Sequence, residues 1–283
     1  MTRSALLDSD LQDADDRGTF VRRACHAELL GFVDQIAGYS EGGHALHGHI
    51  EVASLVVPLV ISFGGPYEIA LGRRPTQDDR YTSFTSGLYP GHVLINSTGD
   101  AKCIQIDFTP LGARRFFGLP MDEISGRMVK LEELGDREIE ALRDQLAEQR
   151  SWSKRLGLAE QFVRNRLKRN LVASAAVGWA YERILRSQGD IRISTIAAAL
   201  DWSRKHLVAR FKEEIGVGPK AVARMVRFNR ALAMAQAARW PDWAELAAEC
   251  GYADQAHMVR EFREFAGNSP TAVLNRLGSS PAR

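Results

Sequence analysis

Two runs of polar and basic residues, most of them hydrogen-bond donors, recur near the C-terminus. The first is Ser203, Arg204, Lys205, His206, Arg210 and Lys212; the second is Asp254, Gln255, His257, Arg260 and Arg263. These side-chain types reach phosphate oxygens and base edges, and Arg and Gln can pair bidentately with guanine and adenine. Each run is threaded by two apolar residues four apart, Leu207 with Phe211 and Met258 with Phe262. A helix would bury those pairs and turn the donors outward. That chemistry is recognition of nucleic acid.

Other reactive residues carry less. His44, His47 and His49 stand within eight residues together with Glu51, a set that could ligate a metal in a cupin-like barrel. The spacing is shorter than a cupin metal motif and the segment is Gly-rich, so a polar loop is the expectation and no cofactor is expected. Cys25, Cys103 and Cys250 match no metal or redox spacing. Cys103 and Cys250 read as packing residues. No Gly-rich phosphate loop, Ser/His/Asp order or paired-carboxylate motif stands out, so no enzyme is expected. The rival readings are a metal-dependent cupin-type enzyme and a constitutive DNA-binding protein whose N-terminal half only dimerises.

The donor runs belong to a diverged internal repeat. Ile196–Leu200, a turn at Asp201-Trp202, Ser203–Ile215, Gly216 and Pro219 form one copy. Leu246–Cys250, a turn at Gly251-Tyr252, Asp254–Phe265, Gly267 and Pro270 form the other. Downstream of the turn the offset is 51 residues and upstream it is 50, so the second copy has one extra turn residue. A short Ala-rich helix, a tight turn and a second amphipathic helix are the layout of a helix-turn-helix. Ser194 is the expected cap of the first Ala-rich helix. Asp242, with Glu245 three residues on, is that of the second. Trp240 and Trp243 would staple that helix start. Lys220–Ala238 should be one connecting helix, with Val222, Met225, Val226, Asn229, Leu232 and Ala233 on one side and Arg224, Arg227 and Arg230 recurring every three residues.

Upstream the period changes. Glu51–Phe63, Tyr67–Leu71, Ser83–Tyr89, His92–Asn96 and Lys102–Thr109 read as short strands between Gly, Pro and Asp turns. Ala113–Phe117 is a short helix, and helices follow from Asp136. The expected fold is α+β in two domains. Residues 1–135 form a β-rich, cupin-like sandwich or barrel. Residues 136–172 are linker or dimerisation helices that pack on it or on another subunit. Residues 173–283 are all-α, and the boundary falls near Asn170.

The chain of 283 residues is 45% apolar and 25% charged, with a net charge of only +2. That balance hides an asymmetry. Residues 1–150 hold 15 basic and 23 acidic side chains, and residues 151–283 hold 22 and 12. Such asymmetry points toward nucleic acid or membrane. The longest apolar run, Ala53–Phe63, is broken by Pro58 and is too short to span a bilayer. The acidic Met1–Gly18 is not a secretory signal. A reduced, cytoplasmic protein is expected.

Residues from about Val177 to Arg276 resemble the DNA-binding domain of the AraC/XylS family of transcription regulators. The resemblance is carried by Leu207-x3-Phe211-Lys212-x3-Gly216-x2-Pro219, Arg227-x2-Arg230-Ala231, and Ala247-x3-Gly251-Tyr252 with Gln255. It continues through Arg260-x-Phe262-Arg263-x3-Gly267-x-Ser269-Pro270. It implies seven helices, two helix-turn-helix units and specific binding to double-stranded promoter or operator DNA. Ala209 stands where the family usually has Arg, whereas Arg260 keeps that residue in the second unit. The second helix is therefore expected to hold the usual contacts, with Gln255 on adenine and Arg260 on guanine. Lys212 and Arg263 are expected on phosphate or solvent. Val57–Gly64 and Gln105–Arg115 are similar to sensor domains that precede this DNA-binding domain. That likeness implies a small-molecule effector of unnamed identity, a homodimer, and RNA polymerase as a partner if the protein activates.

Overall fold

A computed structural model describes residues 18–22, 24–170, 174–237 and 242–279. The expectations for the acidic N-terminal segment, Trp240 and Ala238 lie outside these residues, apart from Gly18. The strands are β1 (Thr19–Arg22), β2 (Val33–Ser40), β3 (His49–Glu51), β4 (Val57–Ser62), β5 (Tyr67–Leu71), β6 (Arg80–Tyr81), β7 (Phe84–Ser86), β8 (Val93–Ser97), β9 (Lys102–Phe108) and β10 (Met128–Lys130). The helices are α1 (Pro110–Phe117), α2 (Arg137–Glu148), α3 (Trp152–Arg169), α4 (Ala175–Arg186), α5 (Ile193–Ala199), α6 (Arg204–Ile215), α7 (Pro219–Ala237), α8 (Trp243–Glu249), α9 (Gln255–Ala266) and α10 (Pro270–Ser279). A β-rich N-terminal region thus precedes a helical C-terminal region. Among the described residues no helix is long and apolar enough to cross a membrane.

The strands form two antiparallel sheets. One has six strands in the order β1-β2-β9-β4-β7-β10, the other four in the order β3-β8-β5-β6. The alternation in β9 shows how the larger sheet is used. Ile104, Ile106 and Phe108 are fully buried in the core shared with the helices, while Cys103 packs with Val60, Tyr67 and Phe84. Alternate side chains point to opposite faces, so this sheet is covered by helices on one side and by the smaller sheet on the other. The apolar run 51–63 divides into β3 and β4, and the turn between them has a separate task described below.

The helices α2 and α3 are fastened to the β-rich region. α3 packs on β2 and β9. Its basic residues are spent locally: Arg164 and Lys168 pair with Glu28, Arg169 with Glu138, and Arg166 with Asp136. The excess positive charge of residues 151–170 is therefore largely matched by acidic residues upstream. The main apolar core also runs straight through the Asn170 region, from Leu29 to Ala223, and joins the β-rich region to the first helical repeat. The second repeat has its own core, around Met225, Phe228, Leu246, Met258 and Phe262.

Two local expectations are corrected. Ser194 lies inside α5, whose N-cap is Arg192 without a side-chain cap bond. On α7 the buried face is Val222, Ala223, Met225, Phe228, Ala231, Leu232 and Ala235. Val226 and Asn229 are half-buried and Ala233 is exposed. The shift arises because α7 serves two cores at once, the first repeat near its start and the second along the rest.

Candidate nucleic-acid interface

The two repeats fold alike at the level of single hydrogen bonds. After each Ala-rich helix the chain reverses through a left-handed residue, Asp201 in one and Gly251 in the other, with φ of 52° and 73°. The turn closes when the Trp202 N–H donates to the Ala197 carbonyl, and the Tyr252 N–H to Ala247, each at 2.9 Å. The second helix then starts on a side-chain cap. Ser203 Oγ accepts from the His206 N–H at 3.1 Å, and Asp254 Oδ1 from the His257 N–H at 2.6 Å. It ends on a left-handed glycine, Gly216 or Gly267. Leu207 and Phe211, like Met258 and Phe262, are fully buried. α5–α6 and α8–α9 are thus two helix-turn-helix units with α6 and α9 as their outer helices. The Asp242 cap of α8 is in place, accepting from the Ala244 N–H at 2.7 Å.

The proposed contact residues divide into two groups. Arg204, Lys205, His206 and Lys212 on α6, and Gln255, Arg260 and Arg263 on α9, are exposed. Ser203 and Asp254 are exposed too, but their oxygens are engaged as caps. Arg210 is turned onto its own helix, donating to Glu213 at 2.6 Å and Glu214 at 2.7 Å. Glu214 is almost wholly buried and also accepts from the Ser174 N–H. His206 stands edge-on to Trp202 and His257 edge-on to Tyr252, with ring centroids 4.5 and 5.3 Å apart. Ala209 is exposed at the position equivalent to Arg260.

The arginines of the connector bind inward. Arg224 donates to Glu261 and Glu264, Arg227 to Glu261, and Arg230 to Glu249. Hydrogen bonds to Glu264 and Glu261 raise the Arg224 pKa above its ordinary value despite partial burial. The stripe therefore bolts α7 to the second unit. The sequence held a sign of this, because Arg224 and Arg227 share a three-residue spacing with Glu261 and Glu264. With these cations paired, the exposed positive charge of the second unit is concentrated on α9, at Arg260 and Arg263.

A cavity of about 130 Å³ lies between the two sheets. Val60, Ile69, Phe84 and Ile95 make its walls apolar, and Tyr39, His49, Glu51 and Gln105 bring polar ends to it. Of the histidine cluster, His44 places Nδ1 3.2 Å from the Glu41 carbonyl oxygen, and His47 is exposed. His49 pairs with Glu51 at 3.9 Å. Among the described residues no three His, Cys, Asp or Glu side chains are grouped to hold a metal.

Residues 196–276 match the family described as "Helix-turn-helix domain". No curated protein matches the chain. Among solved structures, the C-terminal domain of AraT from Geobacillus stearothermophilus is 24% identical over 37% of this chain and 87% of that one, with a TM-score of 0.34. ToxT from Vibrio cholerae is 11% identical over 85% of this chain and 97% of that one, at 0.47. ToxT with a bound unsaturated fatty acid is 9% identical over 92% and 100%, at 0.48. The matched segment holds both units and the helix that joins them, in the order and with the caps described above, and residues 196–276 are a helix-turn-helix domain.

Proposed function

We propose that this protein is a transcription regulator that binds double-stranded promoter DNA sequence-specifically through α6 and α9. A small molecule held between the two sheets would modulate that binding. The observation that carries the DNA reading is the pair of exposed donor rows, Arg204-Lys205 and Gln255 with Arg260, on equivalently capped helices. The connector supports it: nineteen residues of α7 span about 28 Å. That is close to the roughly 34 Å between successive major grooves on one face of DNA. Gln255 and Arg260 would read bases, and Lys212 and Arg263 would hold phosphates. The reading includes a homodimer through the β-rich region and α2–α3, RNA polymerase as partner if the protein activates, and a cytoplasmic setting.

The effector reading rests on the cavity. Its volume resembles that of an apolar cavity of about 150 Å³ that takes up benzene. A benzene-sized apolar molecule with one polar group for Gln105 or His49 fits this lining. The experiment for the main reading is selection of bound sequences from random DNA by the full chain at moderate salt. Enrichment of a motif with two half-sites is expected. Folded protein that enriches nothing overturns it.

A further inference from the structure

Each helix-turn-helix unit is attached to a different sheet of the β-rich region. On the side of the six-stranded sheet, the segment before β10 is tied to the end of β7: its Ile124 carbonyl accepts from the Gly87 N–H, and its Ser125 Oγ donates to the Leu88 carbonyl. α6 packs on residues 121–123 of that segment and on α1. Its terminal Gly216 sits so close that a Cβ there would fall 3.2 Å from the Met121 carbonyl oxygen.

On the side of the four-stranded sheet, β3 runs directly into Ala53. That residue is buried in the second unit's core and donates its N–H to the Phe265 carbonyl at 2.8 Å. His92, one residue before β8, reaches the Glu264 carbonyl with Nδ1 at 3.2 Å. A Cβ on Gly267 would fall 3.0 Å from the His92 ring. Gly216 and Gly267 are equivalent positions of the repeat, and they dock on opposite sheets.

The cavity lies between those sheets, and its lining adjoins the anchors. Glu51 is two residues from Ala53, and Val93 is next to His92. We infer that the sheets act as two jaws, each carrying one unit. Filling the space between them moves α9 relative to α6 through the Ala53 and His92 anchors. This rests on the reading of the cavity as the effector site. A ligand would then regulate DNA binding because the two arrangements of the reading helices differ in how well they admit it.

Cavity-filling substitutions test this without a ligand. Spin labels at Ala209→Cys and Ala256→Cys, both exposed, report the α6–α9 distance in the full chain. With Ala37→Leu, or Ile95→Phe in its place, the distance should shift by about 2 Å, the scale of helix shifts in switching proteins. Benzene added to the protein without a filling substitution should shift it the same way. In a His92→Ala, Ala53→Pro background, which loses both anchors, filling should leave the distance unchanged.

An unaltered distance in both folded fillers overturns the coupling, as does a shift that persists without the anchors. If neither filler folds, the benzene arm decides: a thermal shift showing that benzene binds, with no change in distance, also overturns it. A chain that binds no small molecule yet moves on filling keeps the coupling and removes only the effector reading.

Discussion

Arg224 of the connecting helix and Glu261 of the second reading helix meet at 2.8 Å, Nε to Oε1, with the carboxylate 2% exposed. Arg227 reaches the same oxygen at 3.0 Å. The equivalent residue of the first unit is Arg210, which pairs within its own helix. Only the second unit is therefore bolted to the connector by buried charge. Removing one partner of a buried pair strands the other, at a cost of about 3–5 kcal/mol. The guanidiniums here keep some solvent, so Glu261→Ala should cost about 2–3 kcal/mol in urea unfolding. Arg210→Ala, which removes a guanidinium 35% exposed and leaves the buried Glu214 its bond from the Ser174 N–H, should cost less. Equal losses would contradict this arrangement.

The exposed donors should separate by role on whichever DNA sequence selection yields. Arg260→Ala should relax preference at one base position by about 1–3 kcal/mol. Lys212→Ala should weaken all sequences alike and lower the salt dependence by about one counterion. Titrations at several salt concentrations, on the selected site and on a scrambled one, measure both effects.

Ser203 and Asp254 accept backbone N–H bonds at the starts of α6 and α9. Replacing either by Ala should cost about 1 kcal/mol of stability, as for other N-caps. As caps alone, their loss leaves base preference unchanged. A changed motif from Asp254→Ala protein would make that residue a direct reader.

The loop between β5 and β6 is closed by Asp79, which receives two bonds of 2.7 Å from Arg73 and two more from Thr76. The Arg73 guanidinium holds the Asp79 carboxyl well below the usual carboxylate range. With the folded pKa depressed, this contribution is complete above the unfolded value of about 4 and is lost as pH falls through the folded one. The melting temperature should therefore drop below pH 4, and Asp79→Asn should flatten that drop. A melting curve series from pH 2 to 7 checks it.

Burial pushes the Cys103 thiol up to about 12. Iodoacetamide at pH 8 should leave it unmodified in folded protein and modify it in urea, because the thiolate is the reactive form. Mass spectrometry of the Cys103 peptide reads this directly, and native-state alkylation would argue against the buried placement.

By itself the sequence determined the repeat, the two helix-turn-helix units and the rows of donors. Those features are local: apolar residues four apart, a turn, a cap and a glycine each impose their geometry over a few residues. The strands of the N-terminal region were legible for the same reason, through alternation in Lys102–Phe108 and turn residues between short runs. The tertiary structure decided which charges are available. Arg164, Arg166 and Lys168 on α3, Arg224 and Arg227 on α7, and Arg210 on α6 look alike in sequence to Arg260. Arg210 pairs within one turn of its own helix, but the carboxylate partners of the others lie 30 to 140 residues away, and local spacing alone does not say which carboxylate each one meets. The docking of Ala53 on Phe265 and of His92 on Glu264 was equally hidden. A backbone N–H belongs to every non-proline residue, and only the packed fold determines which carbonyl it meets.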